Sequence, residues 1–286
     1  MFELNGDARI IAFRDIKGRS AIIVDDFYRD PDEVRELALS LQYKDRSESS
    51  LVGGFPGGRS FLDTLEVKEK LYNLYLDLCS KKLWEIPDRI TDVFQAKDCD
   101  NWSTKGITLK EDGSFNIPLI KKNRPFNVND FESNWNRQRF MVNVTNDDLL
   151  IKDPLHIMPH QDYWEDEEPT YQFGSVIYLN TPDECPGGGG TNLYSYRGEM
   201  YVPNRMQMFD ATMGFWMEEC LKKETDIEKF KYLKSKVDGE ELYTVEFEAE
   251  MKYNRMFLYP ADVLHMANVD LGMFTDYNRI NQILFM

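Results

Sequence analysis

With 286 residues, the chain has length for one large domain or two small ones, and 42% apolar residues with 13% aromatics supply a sizeable core. Asp and Glu number 50 against 34 Lys and Arg, and the formal charge of −16 repels nucleic-acid phosphates and anionic lipid, so neither nucleic acid nor membrane is an expected partner. No apolar run reaches the length of a spanning helix, the opening MFELNGDARIIAFRD has no basic leader or apolar signal core, and Cys79, Cys99, Cys185 and Cys220 fall in no zinc or C-x-x-C spacing, so a cytoplasmic protein with free thiols is expected.

Ser20–Phe27 (SAIIVDDF) is short, β-branched and bounded by charge, as a buried strand is. A helix is expected next, with Asp30 as N-cap, Pro31 in the first position and Glu33 in the third, followed by Val34, Leu37, Ala38 and Leu41 at helical spacing. Phe55–Ser60 (FPGGRS) reads as a loop. Its Arg59 has the chemistry to reach an anionic substrate, but the simpler expectation is a solvated loop arginine. Leu65–Leu83 carries Val67, Leu71, Leu74, Tyr75 and Leu78 on one stripe, a helix packed on the core. Ile90–Ala96 reads as a strand, and residues 97–135 as short strands and loops.

From Arg139 the pattern turns to strands: Arg139–Thr145, Tyr171–Asn180, Thr191–Tyr196 after the turn Pro186–Gly190, Leu242–Glu250, Asn254–Tyr259 and Arg279–Met286, with Met200–Asp210 read as a further hairpin. Glu218–Lys236 is charged and helical, an exposed insertion by expectation. Many short strands with Gly and Pro turns behind a helical front half give an α+β fold whose back half is a sandwich or barrel.

The chemistry centres on Met158-Pro159-His160-Gln161-Asp162. In extended chain, residues i and i+2 point to one face, so the His160 imidazole and the Asp162 carboxylate can meet at one point. A strand with two polar residues on a wet face explains His-x-Asp equally well until a second histidine completes the set. The chain has three histidines, His156, His160 and His265, and His265 follows a buried strand and a turn. Pro159 breaks the helix that would pair His156 with His160, so His156 is not the expected ligand. Two histidines and a carboxylate with open positions suit non-haem Fe(II). Arg279 opens the last apolar strand, where a cation is costly unless an anion such as a dicarboxylate meets it.

Taken together, His160-Gln161-Asp162, Tyr178-Leu179-Asn180, Gly189-Gly190-Thr191-Asn192-Leu193-Tyr194, Leu258-Tyr259-Pro260, His265 and Arg279 resemble, in order, the prolyl-hydroxylase-like branch of the Fe(II)/2-oxoglutarate-dependent oxygenase superfamily. The resemblance covers residues 140–286. It implies a double-stranded β-helix (jelly-roll) core with packed N-terminal helices. The expected organisation is a single oxygenase domain over 1–286, helix-rich over 1–138 and β-helical over 139–286, with the helical insertion near 218–236. It implies His160, Asp162 and His265 as Fe(II) ligands, Arg279 and Tyr178 on the distal carboxylate of 2-oxoglutarate, and Asn143 at the cosubstrate's other end. By strand parity, Arg279, Asn281 and Ile283 share a face expected to line the barrel. The implied activity is a dioxygenase using Fe(II), 2-oxoglutarate and O₂, with ascorbate as auxiliary reductant. It would hydroxylate a small molecule or a peptide side chain with release of succinate and CO₂. Asp162, where related halogenases carry a small residue, favours hydroxylation. Tyr163, Trp164 and Tyr171 are expected in packing, and Glu165–Glu168 in a solvated loop. The rival classes are a non-catalytic β-helix binding or scaffold protein, with no metal-dependent 2-oxoglutarate turnover, and a zinc hydrolase, with no use for Arg279.

Overall fold

In the computed structural model, the residues described are 1–16, 19–43, 57–60, 70, 108–109, 115–116, 139–142, 150–151, 157–162, 173–185, 187–200, 211–239, 242–261 and 263–285. The expected elements Leu65–Leu83 (apart from Lys70), Ile90–Ala96 and Met200–Asp210 (apart from Met200) lie outside them, as do Asn143, His156 and the 163–171 segment. Strands are β1 (Arg9–Ile16), β2 (Arg19–Asp25), β3 (Gly58–Arg59), β4 (Thr108–Leu109), β5 (Phe115–Asn116), β6 (Arg139–Val142), β7 (Phe173–Tyr178), β8 (Thr191–Tyr196), β9 (Tyr243–Ala249), β10 (Met256–Pro260), β11 (Leu264–Ala267) and β12 (Ile280–Phe285). Helices are α1 (Pro31–Ser40), α2 (Ala211–Leu221) and α3 (Asp226–Asp238). The fold is mixed α+β, and every described strand pair is antiparallel.

Seven strands form one sheet in the order β1-β2-β10-β7-β12-β6-β3, and three form a second in the order β11-β8-β9. The central strands β2, β10, β7 and β12 of the first sheet are buried on both faces. On the outer face Ile22, Leu258, Met256, Ile177 and Leu284 are buried, and Tyr28 Oη donates to Gln282 Oε1 at 2.6 Å. On the inner face Ile23, Phe257, Val176 and Tyr178 join Leu193, Tyr194 and Tyr243 of the second sheet in one core. Phe257 stacks on Phe247 across the gap with ring centroids 5.8 Å apart, so β10 faces β9. Tyr178 Oη donates to Thr191 Oγ1 at 2.8 Å, so β7 faces β8. Continuing both strand orders, β12 and β6 fall opposite β11 and the His160 segment that bridges it.

Several local expectations are corrected. β1 precedes the first expected strand and pairs with it along Arg9–Asp25. Asp30 stands at the N-cap of α1, but its side chain makes no capping bond. Gly58 and Arg59 are not loop but an edge strand on β6, and Arg59 is buried. The charged segment near 218–236 is a helical hairpin built into the core rather than an exposed insertion. Trp216 and Cys220 of α2 and Phe230, Leu233 and Val237 of α3 are buried with Tyr243 of β9. Its charges occupy the opposite face, where Lys222 meets Glu219 and Lys234 meets Asp238. Thr225 starts α3 with a capping box: its hydroxyl accepts from the Glu228 amide at 3.2 Å, and Glu228 accepts from the Thr225 amide at 3.0 Å. Cys185 and Cys220 are free thiols, and no described helix is long and apolar enough to cross a membrane.

Candidate metal centre

His160 and Asp162 reach the inner face through a short bridge rather than a full strand. The His160 amide donates to the His265 carbonyl at 3.0 Å, and the His265 amide donates back at 2.8 Å. Two residues on, the Asp162 amide donates to the Ala261 carbonyl at 2.9 Å. His265 lies on β11 itself, just past the turn that the Val263 amide closes onto the Pro260 carbonyl. The bridge is a backbone device that fixes two side chains of one segment against one of another.

The result is a cluster of His160, Asp162 and His265 whose donor atoms all lie within 4.8 Å of one another. His265 Nε2 stands 3.3 Å from Asp162 Oδ2, and the imidazole centroids are 4.5 Å apart. Each ring is oriented from behind. His265 Nδ1 lies 2.9 Å from the Val263 carbonyl and His160 Nδ1 3.4 Å from that of Met158. A carbonyl only accepts, so Nδ1 carries a proton and, in the neutral ring, the lone pair falls on Nε2, the arrangement found behind metal-bound histidines. The Tyr259 ring packs on His265 at 4.4 Å. His160 Nε2, Asp162 Oδ2 and His265 Nε2 are all buried, and His265 Nε2 makes no hydrogen bond among the described residues.

Donors bonded to one transition-metal ion at about 2.1 Å lie at most about 4.2 Å apart, so small side-chain rotations close this cluster on an ion. Two imidazoles and one carboxylate on one side, with the remaining positions left to other ligands, fit Fe(II) by donor type. Burial, then the neighbouring His265, push the His160 imidazole down to about 4, against the opposing pull of Asp162. His160 is therefore neutral and ligand-competent at neutral pH. The same depression makes a stability prediction. A histidine whose pKa is lowered by folding contributes stability above its unfolded value of about 6.5, and that contribution is lost as pH falls towards 4. Metal-free protein will lose Tm between pH 6.5 and 4 more steeply than His160→Gln, measured by paired thermal melts. Parallel curves would contradict the assignment.

Gly174 of β7 is a requirement that sequence reasoning missed. A β-carbon there would lie 2.9 Å from Asp162 Oδ2 and 3.0 Å from the Tyr259 ring, so its bare backbone is the floor on which the carboxylate rests. Only the pairing of Gly174 with Tyr259, far along the chain, reveals it.

The second part of the site lies on the facing sheet, beside β7 and β12. Arg279 is 2% exposed, and its guanidinium donates to the Gly189 carbonyl, to the Gly190 carbonyl at 3.3 Å and to Asn281 Oδ1 at 2.7 Å. It lies over the Tyr178 ring, 5.5 Å from the centroid. Burial pulls it below its ordinary value, and the Tyr178 and Tyr259 phenols oppose that pull. Tyr178 is raised by burial and held back by Arg279. Its hydroxyl rests on Thr191, which pairs with Ala267, two residues from His265. Two residues of extended chain span about 7 Å, which sets the scale between the histidine and the Tyr178–Thr191 contact. Arg279 and Asn281 share a buried face as parity requires, whereas Asn143 lies outside the described residues.

The Gly-rich turn is explained by the same contacts. Gly189 has φ +78°, and a β-carbon there would meet Phe274 at 2.5 Å. At Gly190 it would come within 2.0 Å of the Ala249 carbonyl oxygen. Both carbonyls are thereby brought to Arg279.

Residues 123–278, more than half of the chain, match a family described as "Family of unknown function (DUF6445)". The match contains His160, Asp162, Tyr178 and His265, and ends one residue before Arg279. A search of curated proteins returned no match. The extent of the family match establishes that this chain belongs to the DUF6445 family.

Proposed function

We propose that the protein is an Fe(II)- and 2-oxoglutarate-dependent dioxygenase whose core is a double-stranded β-helix. The observation that carries the reading is a two-histidine, one-carboxylate cluster on one sheet and a buried arginine and tyrosine on the sheet that faces it, within one space between them. The strand order supports the fold: β6-β12-β7-β10 in one sheet against the His160 segment, β11, β8 and β9 in the other is the order of an eight-stranded jelly roll. When bound, iron with 2-oxoglutarate and O₂ supplies the oxidant for a substrate C–H bond, with succinate and CO₂ as coproducts.

The chain's own residues do the rest. His160 and His265 present Nε2, and Asp162 presents its carboxylate, all held by backbone bonds that predate any ligand. Arg279 is pre-oriented by Gly189, Gly190 and Asn281, so little side-chain entropy is lost when a carboxylate arrives. Tyr178 carries a hydroxyl that can turn from Thr191 to the same carboxylate. The buried surroundings exclude water, which strengthens each of these contacts. A protein or peptide side chain and a small metabolite are both suitable substrates for such a site.

The test is 2-oxoglutarate binding by calorimetry with Mn(II) in place of iron. Wild type will bind it only with the metal present, and Arg279→Ala will bind at least about ten-fold more weakly, the loss of a charge-assisted bidentate contact. Metal-independent binding, or full affinity in Arg279→Ala, would turn the assignment towards a scaffold.

A further inference from the structure

We infer that Arg59 is a substrate-recognition residue and that the substrate presents a carboxylate or similar anion to it. The inference deepens the oxygenase reading and rests on it. Arg59 is buried on edge strand β3. It pairs with Met141 of β6, Met141 pairs with Asn281 of β12, and Asn281 pairs with Tyr178 of β7. Directly paired positions of an antiparallel sheet share a face, so Arg59 falls in one row with Asn281 and Tyr178, on the face turned towards the sheet that carries the metal cluster. That row has a cation towards each end. Arg279, beside Tyr178 and Asn281, serves the cosubstrate side.

Arg59 lies two strands beyond Asn281, about 10 Å at the usual strand spacing. It stands at the rim where β6 and β3 extend opposite the His160 segment. That rim is on the His160 side of the centre, away from Arg279, which is where a substrate would lie beside the cosubstrate. A chain of net charge −16 repels anions at large, so a buried guanidinium here is a local exception. Its planar donor fork matches a carboxylate.

The test uses protein loaded with Mn(II) and saturating 2-oxoglutarate, with acetate and its neutral counterpart acetamide as probes. Paramagnetic relaxation of each methyl proton signal reports its approach to the metal. Acetate will relax more strongly than acetamide in wild type. Arg59→Gln will lower the acetate effect by about ten-fold, as loss of a charge-assisted bond does. Arg59→Lys will retain part of it, and both variants will keep wild-type affinity for Mn(II) and 2-oxoglutarate. Equal relaxation of the two probes, or an acetate effect that survives in Arg59→Gln, overturns the inference, the latter by showing acetate on the metal itself. A weakened 2-oxoglutarate affinity in Arg59→Gln also overturns it, by assigning Arg59 to the cosubstrate. Failure of wild type to bind Mn(II) or 2-oxoglutarate overturns the oxygenase reading, and the inference falls with it.

Discussion

Mn(II) titrated into the wild-type protein will bind at one site per chain, and His265→Ala and Asp162→Ala will each weaken that binding by at least about a hundred-fold. Changes to groups that merely support a metal ligand cost about 10- to 100-fold, so loss of a ligand sets the floor at the upper end of that range. The expectation comes from geometry: three donor atoms within 4.8 Å, two of them on rings whose other nitrogen faces a backbone carbonyl. Gly174→Ala provides a sharper control, because it removes no ligand. Its methyl would stand 2.9 Å from Asp162 Oδ2, so the carboxylate must swing away, and Mn(II) affinity will fall by about ten-fold while the fold persists. Calorimetry on the four proteins decides the matter. Unchanged affinity in His265→Ala would mean that the metal binds elsewhere. Unchanged affinity in Asp162→Ala would mean that Asp162 is not a ligand.

The largest stability effect will come from Gly190→Ala. The new β-carbon would lie 2.0 Å from the Ala249 carbonyl oxygen and 3.0 Å from the Met251 nitrogen, both backbone atoms that no rotamer change can move. The end of the β8–β9 ladder, where Thr191 pairs with Ala249, must open. Overpacking against side chains costs about 1–3 kcal/mol, and a clash with backbone falls at the top of that range or above it. The damage also reaches Arg279, because the Gly190 carbonyl accepts from its guanidinium. Gly190→Ala will therefore lose about 3 kcal/mol in denaturant unfolding and will bind 2-oxoglutarate poorly even where it is folded. By contrast, Gly198→Ala meets no atom within 4 Å, although its φ of +88° still strains an alanine, so it will be the milder variant. A Gly190→Ala protein as stable as Gly198→Ala would contradict this account of the turn.

The sequence was most legible where one local period governs. Thr191–Tyr196 reads as a strand from its own residues and is one. His160 and Asp162 meet because i and i+2 share a side in extended chain, although the segment is held by a two-bond bridge rather than a strand. What was not legible depends on distant pairing. Gly57-Gly58-Arg59 has no periodicity to read, and its burial comes from β6, some eighty residues on in the chain. Gly174 has meaning only beside Tyr259 and Asp162. The α2–α3 hairpin was a different kind of miss. Phe230, Leu233 and Val237 carry a helical stripe that marks a buried face, but the abundance of charge on the other face suggested full exposure.

The most direct test of the oxygenase reading is succinate formed from 2-oxoglutarate by purified protein with Fe(II), ascorbate and O₂, without added substrate, followed alongside oxygen consumption. The account predicts slow turnover in wild type that stops under anaerobic conditions and is lost in His160→Ala and Arg279→Ala. Succinate formed at equal rates by wild type and both variants, or no succinate from a wild type that also fails to bind 2-oxoglutarate with Mn(II), would contradict it.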